Sequence, residues 1–416
     1  MNNASISIVM NGIKKCSGSC LYCSAASTME YRSKTNKTTF VFLKDKLKER
    51  ILEYTGPQLE GDRKAGVGTQ LMVDIWGGNP LENFEPFKQV VEFCENDLKE
   101  FKKVKLHTSG NGLELQDKDL FQYLIDHNIN YQLSHDGLGQ WLRTGEIDPL
   151  YWDKTKDNIA ELARRGMLDW INCTLSARNP SFFANIDYWN KWRDSIRLDG
   201  SIQMTLKLNH IYDGTPPIKK KWLGADNDFI KHGEEVGDLN LHGETLQQYL
   251  HEFRKLAIIC KTPGVRDLWQ YKPYTAYING QTDRYILIKD DKELGACVKF
   301  QRGLTDKNFA IDTKGEYCQC NLIDSDNKVK NSKAEMPEYC KGCKYEKSME
   351  CNTCGSENFP EKCEYKWWWN KTLEEMFSLN EMIKIFNQSQ QNNHSCSCRN
   401  EKKDNKPVYC VKNYTL

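Results

Sequence analysis

Residues 16–23 read Cys16-Ser17-Gly18-Ser19-Cys20-Leu21-Tyr22-Cys23. Three thiols packed so closely in one loop can each take one iron of a cubane cluster, and Gly18 with the two serines permits the tight turns this needs. The next cysteine is Cys94, far along the chain, so no local fourth ligand is offered and one iron stays open to a substrate or cofactor. The competing reading is a zinc knuckle. Structural zinc sites close with four ligands, and no nearby His supplies one here.

Working outward, the loop sits in a run of alternating strands and helices. Ser5–Met10 reads as a strand just before it. Phe40–Tyr54 has helical periodicity, and Leu71–Trp76 is a short apolar strand ending in Gly77-Gly78. Pro86–Phe101 is helical, Val104–Thr108 a strand closed by Ser109-Gly110-Asn111-Gly112, and Lys118–His127 a helix. Tyr131–Ser134 runs as a strand into His135-Asp136-Gly137. Asp153–Arg165 is a helix capped by Gly166, Trp170–Ser176 a strand, Phe182–Ile196 a helix and Ser201–Asn209 a sixth strand. Six strand–helix units imply parallel strands, hence an α/β fold, a partial (β/α)6 barrel with its site at the C-terminal strand ends. Residues 210–245 read as a polar loop or insertion, and Leu246–Cys260 as a helix. We expect a barrel over residues 1–209, an insertion and linker helix over 210–279, a cysteine-rich domain over 280–388 and a polar tail over 389–416. Thr372 with Glu375 makes a capping box for a last helix through Phe386.

The bulk composition is neutral. Of 416 residues, 58 are Lys or Arg and 57 Asp or Glu, a formal charge of +1, which gives no general pull toward nucleic acid or anionic membrane. The run Lys219-Lys220-Lys221 reads as a solvated loop. The first ten residues lack a basic signal-peptide region, and no long apolar run predicts a membrane span, so a cytoplasmic location is expected. In a reducing compartment 17 cysteines are thiols and metal ligands rather than disulfides. Cys94, Cys173 and Cys260 fall in apolar-periodic segments and are expected in the core.

The spacing Cx3Cx2C, with the aromatic Tyr22 before the last cysteine, resembles the signature of the radical S-adenosylmethionine (SAM) superfamily. In that family the open iron chelates the methionyl group of SAM, and electron transfer releases a 5′-deoxyadenosyl radical that takes a hydrogen atom from substrate. Gly77-Gly78-Asn79-Pro80 resembles the family's Gly-Gly-Glu-Pro turn, which binds the SAM amino group; the departure is Asn79, which keeps an acceptor but loses the charge. By the same resemblance Ser109 and Asn111 touch the ribose or carboxylate. Ser134-His135-Asp136-Gly137 with Arg143 is similar to a pattern in peptide-modifying members, where the Ser bonds ribose and the Arg pairs the SAM carboxylate. His135 is a candidate acid–base, with turn chemistry as the plainer reading.

Further on, Cys297, Gly315-Glu316-Tyr317-Cys318-Gln319-Cys320, Cys340-x2-Cys343-x7-Cys351-x2-Cys354 and Cys363 resemble the SPASM extension, with slightly altered spacings. That resemblance implies two auxiliary 4Fe-4S clusters, three in all. Cys340, Cys343, Cys351 and Cys363 would hold one; Cys297, Cys320 and Cys354, with Cys318, the other. A pair of zinc ribbons is the alternative. Cys396, Cys398 and Cys410 have no assigned role, and Trp367-Trp368-Trp369 reads as packing.

The resemblance implies an oxidoreductase of the SPASM subgroup acting on a peptide or protein for post-translational modification, reduced by a flavodoxin or ferredoxin. Two alternatives stay open: the same chemistry on a sugar, nucleotide or amino acid, and a non-catalytic iron–sulfur or zinc scaffold. Only fifteen residues precede Cys16, so a separate recognition protein or a short protein motif is expected to present any peptide.

Overall fold

A computed structural model describes residues 2–12, 16–18, 20, 22, 40–202, 204–210, 239, 241, 243–278 and 310–318. They form one parallel sheet with its connecting helices. In chain order the elements are β1 (Asn2–Val9), α1 (Lys44–Lys64), β2 (Thr69–Trp76), α2 (Phe84–Asn96), β3 (Lys103–Gly110), α3 (Lys118–Asp126), β4 (Asn130–Ser134), α4 (Lys156–Arg164), β5 (Leu168–Leu175), α5 (Phe182–Ser195), β6 (Thr205–His210), α6 (Gly243–Lys261) and β7 (Ala310–Asp312). The sheet order is β6-β5-β4-β3-β2-β1-β7, with every pairing parallel. The six expected strands are present within a few residues of their predicted ends.

One core runs through the sheet and its helices. It takes Ile6 and Ile8 from β1, Leu71, Val73 and Ile75 from β2, and Leu133 and Ile171 from the strands beyond. Helix α2 presents Phe87, Val90, Val91 and Cys94 to it, the i, i+3, i+4, i+7 spacing of one helical stripe. Each fully buried side chain of this size contributes about 1.5–3 kcal/mol. The helices start where polar caps allow. The Asp117 carboxylate accepts from the Asp119 and Leu120 amides at 3.0 and 3.2 Å, and Ser181 Oγ from the Ala184 amide at 3.1 Å. Gly166 ends α4 as expected: its φ of +69° lets Met167 N reach back to Leu162 O at 2.9 Å.

Two features depart from expectation. Helix α1 does not stop at Tyr54; it continues through Gly56-Pro57 to Lys64. Beyond the proline the turn closes on the sheet, where Asp62 accepts from Thr69 Oγ1 at 2.6 Å and Asn2 Nδ2 at 2.6 Å. These contacts offset the amide that proline lacks. The second is β7, which joins the sheet beside β1. Thr313, just after it, donates its amide to Val9 O (3.0 Å) and its hydroxyl to Val41 O (2.7 Å), and its carbonyl accepts from Leu43 N (2.9 Å). The exit from β1 and the entry to α1 are thus tied to the same residue.

Cys94, Cys173 and Cys260 are buried, as expected, and burial pushes all three thiols up, Cys260 to about 11. No described helix is long and apolar enough to cross a membrane. Cys23, most of 210–245, Cys297, Cys320, Cys340, Cys343, Cys351, Cys354, Cys363, the three tryptophans, the predicted last helix and the tail with its cysteines lie outside the described residues.

Candidate active site

The C-terminal ends of β1 to β4 carry the described members of the predicted SAM site. After β1, the chain enters the cysteine loop. Cys16 and Cys20 are half-buried, and a Cβ placed on Gly18 would stand 3.4 Å from Cys16 Sγ, 3.5 Å from Cys20 Sγ and 3.3 Å from Asn111 Nδ2. The two thiols therefore flank Gly18, with the Asn111 amide tight against the same spot. Ser17 anchors the loop: its amide and hydroxyl donate to Glu82 Oε1 at 2.7 and 2.6 Å, and its Oγ accepts from Asn111 Nδ2 at 3.0 Å.

After β2 comes the Gly77–Pro80 turn. Gly77 has φ +126°, a region closed to other residues, and a Cβ there would lie 3.0 Å from Met10 O. This packs the turn against the exit of β1. Asn79 is buried; its Nδ2 donates to Glu82 Oε1 and Glu114 Oε2, both at 2.9 Å, and its Oδ1 has no hydrogen-bond partner among the described residues. Pro80 is buried and opens a single 3-10 turn, Pro80–Glu82. Ser109 is buried on β3, and Asn111 follows it, its Oδ1 accepting from Leu113 N at 2.9 Å. Ser134, half-buried, closes β4.

Asp136 is the hub of the next turn. Its carboxylate accepts from Arg143 Nη2 (2.9 Å), from the Thr174 amide (2.9 Å) and from the Tyr22 hydroxyl. Burial pushes its pKa up, while Arg143 and Thr174 oppose the rise. Arg143 lies over the Tyr22 ring, 5.6 Å from its centre, and its Nη1 donates to Cys20 Sγ at 3.4 Å. Tyr22, Asp136 and Arg143 thus form one joined group that ties the turn after β4 to the cysteine loop.

His135 has no exposed surface. Its Nδ1 accepts from Gly137 N at 3.0 Å, so the proton sits on Nε2, which bonds Asp148 Oδ1 at 2.8 Å; Tyr188 donates to the other Asp148 oxygen at 2.7 Å. Both ring nitrogens are used inside the fold, which favours the turn role over acid–base work. Burial lowers its pKa. Above about pH 6.5 neither folded nor unfolded His135 is charged; below it the unfolded chain takes the proton first. The stability advantage of wild type over His135→Gln should therefore shrink as pH falls through about 6.5, by up to about 1.4 kcal/mol per unit, in urea titrations at several pH values. A constant difference would mean that His135 charges freely in the fold.

Glu82 and Glu114 escaped the sequence reading. Glu82 follows Asn79 by three residues, a local capping pattern that signals it. Glu114 has no such signal, since its partner Asn79 lies on another strand end. Cys318 is buried with Val9 and Ala310 beside β7. No group of metal-ligating side chains is complete among the described residues. The donor set nevertheless suits the implied groups: two thiols flank Gly18, and a buried amide oxygen awaits a donor.

No protein-family model matches the chain, and no curated protein does. Solved structures do. The structure of native anSMEcpe with bound AdoMet and Cp18Cys peptide aligns with TM-score 0.51 at 13% identity, covering 92% of this chain and 99% of that one. A histidine-tagged form of anSMEcpe with bound AdoMet gives the same score and identity over 92% and 96%. The fold is that of the radical SAM enzymes. Within that fold it resembles anSMEcpe. A radical SAM methyltransferase from Sphaerobacter thermophilus also aligns, at TM-score 0.30 and 12% identity over 56% of this chain and 62% of its own.

Proposed function

We propose that this chain is a radical SAM enzyme that modifies a peptide or protein substrate. The observation that carries the reading is the placement of Cys16 and Cys20 about Gly18 in the loop after β1, a loop tied through Ser17 and Glu82 to Asn79 of the Gly77–Pro80 turn. In this reading Cys16, Cys20 and Cys23 would hold a 4Fe-4S cluster, which would supply the electron that splits SAM into methionine and a 5′-deoxyadenosyl radical for hydrogen-atom abstraction from substrate.

The chain's own residues bind and orient. Gly77, Gly78, Asn79 and Pro80 receive the methionyl amine; Ser109 and Asn111 take the ribose or carboxylate, and Ser134 the ribose. Tyr22 and Asp136 hold Arg143 toward the cluster loop, where its charge offsets that of a thiolate-bound cluster. The peptide substrate is supported by the peptide bound to anSMEcpe, and a flavodoxin or ferredoxin is the matching donor. Cys297, Cys318, Cys320, Cys340, Cys343, Cys351, Cys354 and Cys363 are the candidates for two auxiliary clusters.

Anaerobic reconstitution tests the reading. The reduced protein should convert SAM to 5′-deoxyadenosine and bind about twelve irons per chain, as three clusters require. SAM left intact under reducing conditions would overturn it.

A further inference from the structure

The surroundings of Asn79 define what its free oxygen is for. The amide has two N–H donors, and both are taken by carboxylates, from Glu82 and from Glu114. That fixes which way the amide faces. Its buried Oδ1, with no hydrogen-bond partner among the described residues, needs a donor, because a buried unpaired carbonyl costs about 1–3 kcal/mol. With two carboxylates at the back of the amide, the donor that suits the place electrostatically is a cation carrying N–H groups. An ammonium fits and a neutral hydroxyl does so less well.

Glu114 is built in with care. Its Oε1 accepts from Tyr131 Oη at 2.6 Å, and that hydroxyl accepts in turn from Gly112 N at 3.0 Å. A Cβ on Gly110 would stand 1.8 Å from Glu114 Oε1 and 2.7 Å from Tyr131 Oη, so the strand end carries a glycine where the carboxylate lies. A buried acid so placed is costly for folding alone.

We propose that Glu114 is a positioning residue for cofactor binding: with Glu82 it orients the Asn79 amide so that Oδ1 accepts from the amino group of SAM, and it supplies, from the turn after β3, a carboxylate that the Gly77–Pro80 turn itself lacks. This rests on the radical SAM reading above. It makes the pair Asn79–Glu114 a donor–acceptor unit, 35 residues apart in sequence.

A donor–acceptor swap tests it. Glu114→Gln keeps the shape but removes the charge and turns a donor toward the Asn79 amide. The double variant N79D/E114Q reverses the hydrogen bond and returns the charge; its reference is N79D alone, in which the new carboxylate at position 79 meets those of both Glu82 and Glu114. SAM dissociation constants are measured by equilibrium dialysis on oxidised, reconstituted holoenzyme, with iron content and thermal midpoint recorded for each protein. Glu114→Gln should weaken SAM about tenfold, a loss of about 1.4 kcal/mol, with the iron content of wild type. The double variant should bind SAM about tenfold more tightly than N79D alone. It also stands as the test if Glu114→Gln alone folds poorly. Equal affinity of wild type and Glu114→Gln, or a double variant no tighter than N79D alone, would overturn the role of Glu114 alone. A wild-type holoenzyme that does not bind SAM would overturn the radical SAM reading and this inference together.

Discussion

Cys20→Ala is expected to abolish SAM cleavage while leaving the fold in place. Cys20 lies in a half-buried loop outside the hydrophobic core, so its loss should move stability by no more than about 0.5–1 kcal/mol. The chemistry does depend on it. With one of three ligands gone the open cluster loses its hold, and about four irons per chain should be missing from the reconstituted protein, any auxiliary clusters being retained. Product assays for 5′-deoxyadenosine should fall to background. The same change removes the Sγ to which Arg143 Nη1 donates, while the Asp136 and Tyr22 contacts of the guanidinium stay in place. A Cys20→Ala protein that still cleaves SAM at the wild-type rate would remove Cys20 from the ligand set.

The second large effect is on stability. Asp136 is buried and holds three donors from three parts of the chain: Tyr22 on the cysteine loop, Arg143 after β4, and the amide of Thr174 on β5. Asp136→Ala leaves a largely buried guanidinium and a strand amide without this acceptor. Breaking one side of such a pair costs about 3–5 kcal/mol, more than deleting the pair, because the remaining charge stays buried. Asp136→Asn keeps the shape and one acceptor and should lose less, about 1–3 kcal/mol. Urea unfolding of the two variants gives both numbers. A loss below about 1 kcal/mol for Asp136→Ala would show that Arg143 finds another partner, the cysteine loop being the nearest.

The order of strands and helices was legible because it rests on local physics. Apolar residues alternate or recur every three to four positions wherever a strand or helix faces the core, and Asp117, Ser181 and Gly166 mark ends through contacts within a few residues. The extension of α1 through Pro57 was not legible, since the contacts that hold its last turn come from β1 and β2. Nor was β7, whose three residues carry too short a pattern and gain their place by pairing with β1.

The candidate site divides in the same way. By itself the sequence determined the cysteine loop, its position at the end of the first strand, and the glycine-rich turns at the following strand ends, because spacing within a loop sets which ligands can share one metal and because parallel strands put their C-terminal ends on one side. Only the tertiary structure decided how those parts meet. It made His135 a buried neutral link, made Asp136 the tie between Tyr22 and Arg143, and set the carboxylate of Glu114 against Asn79. Such pairings join residues distant along the chain, and their energies depend on burial and on the nearest opposite charge, which no local pattern of residue types encodes.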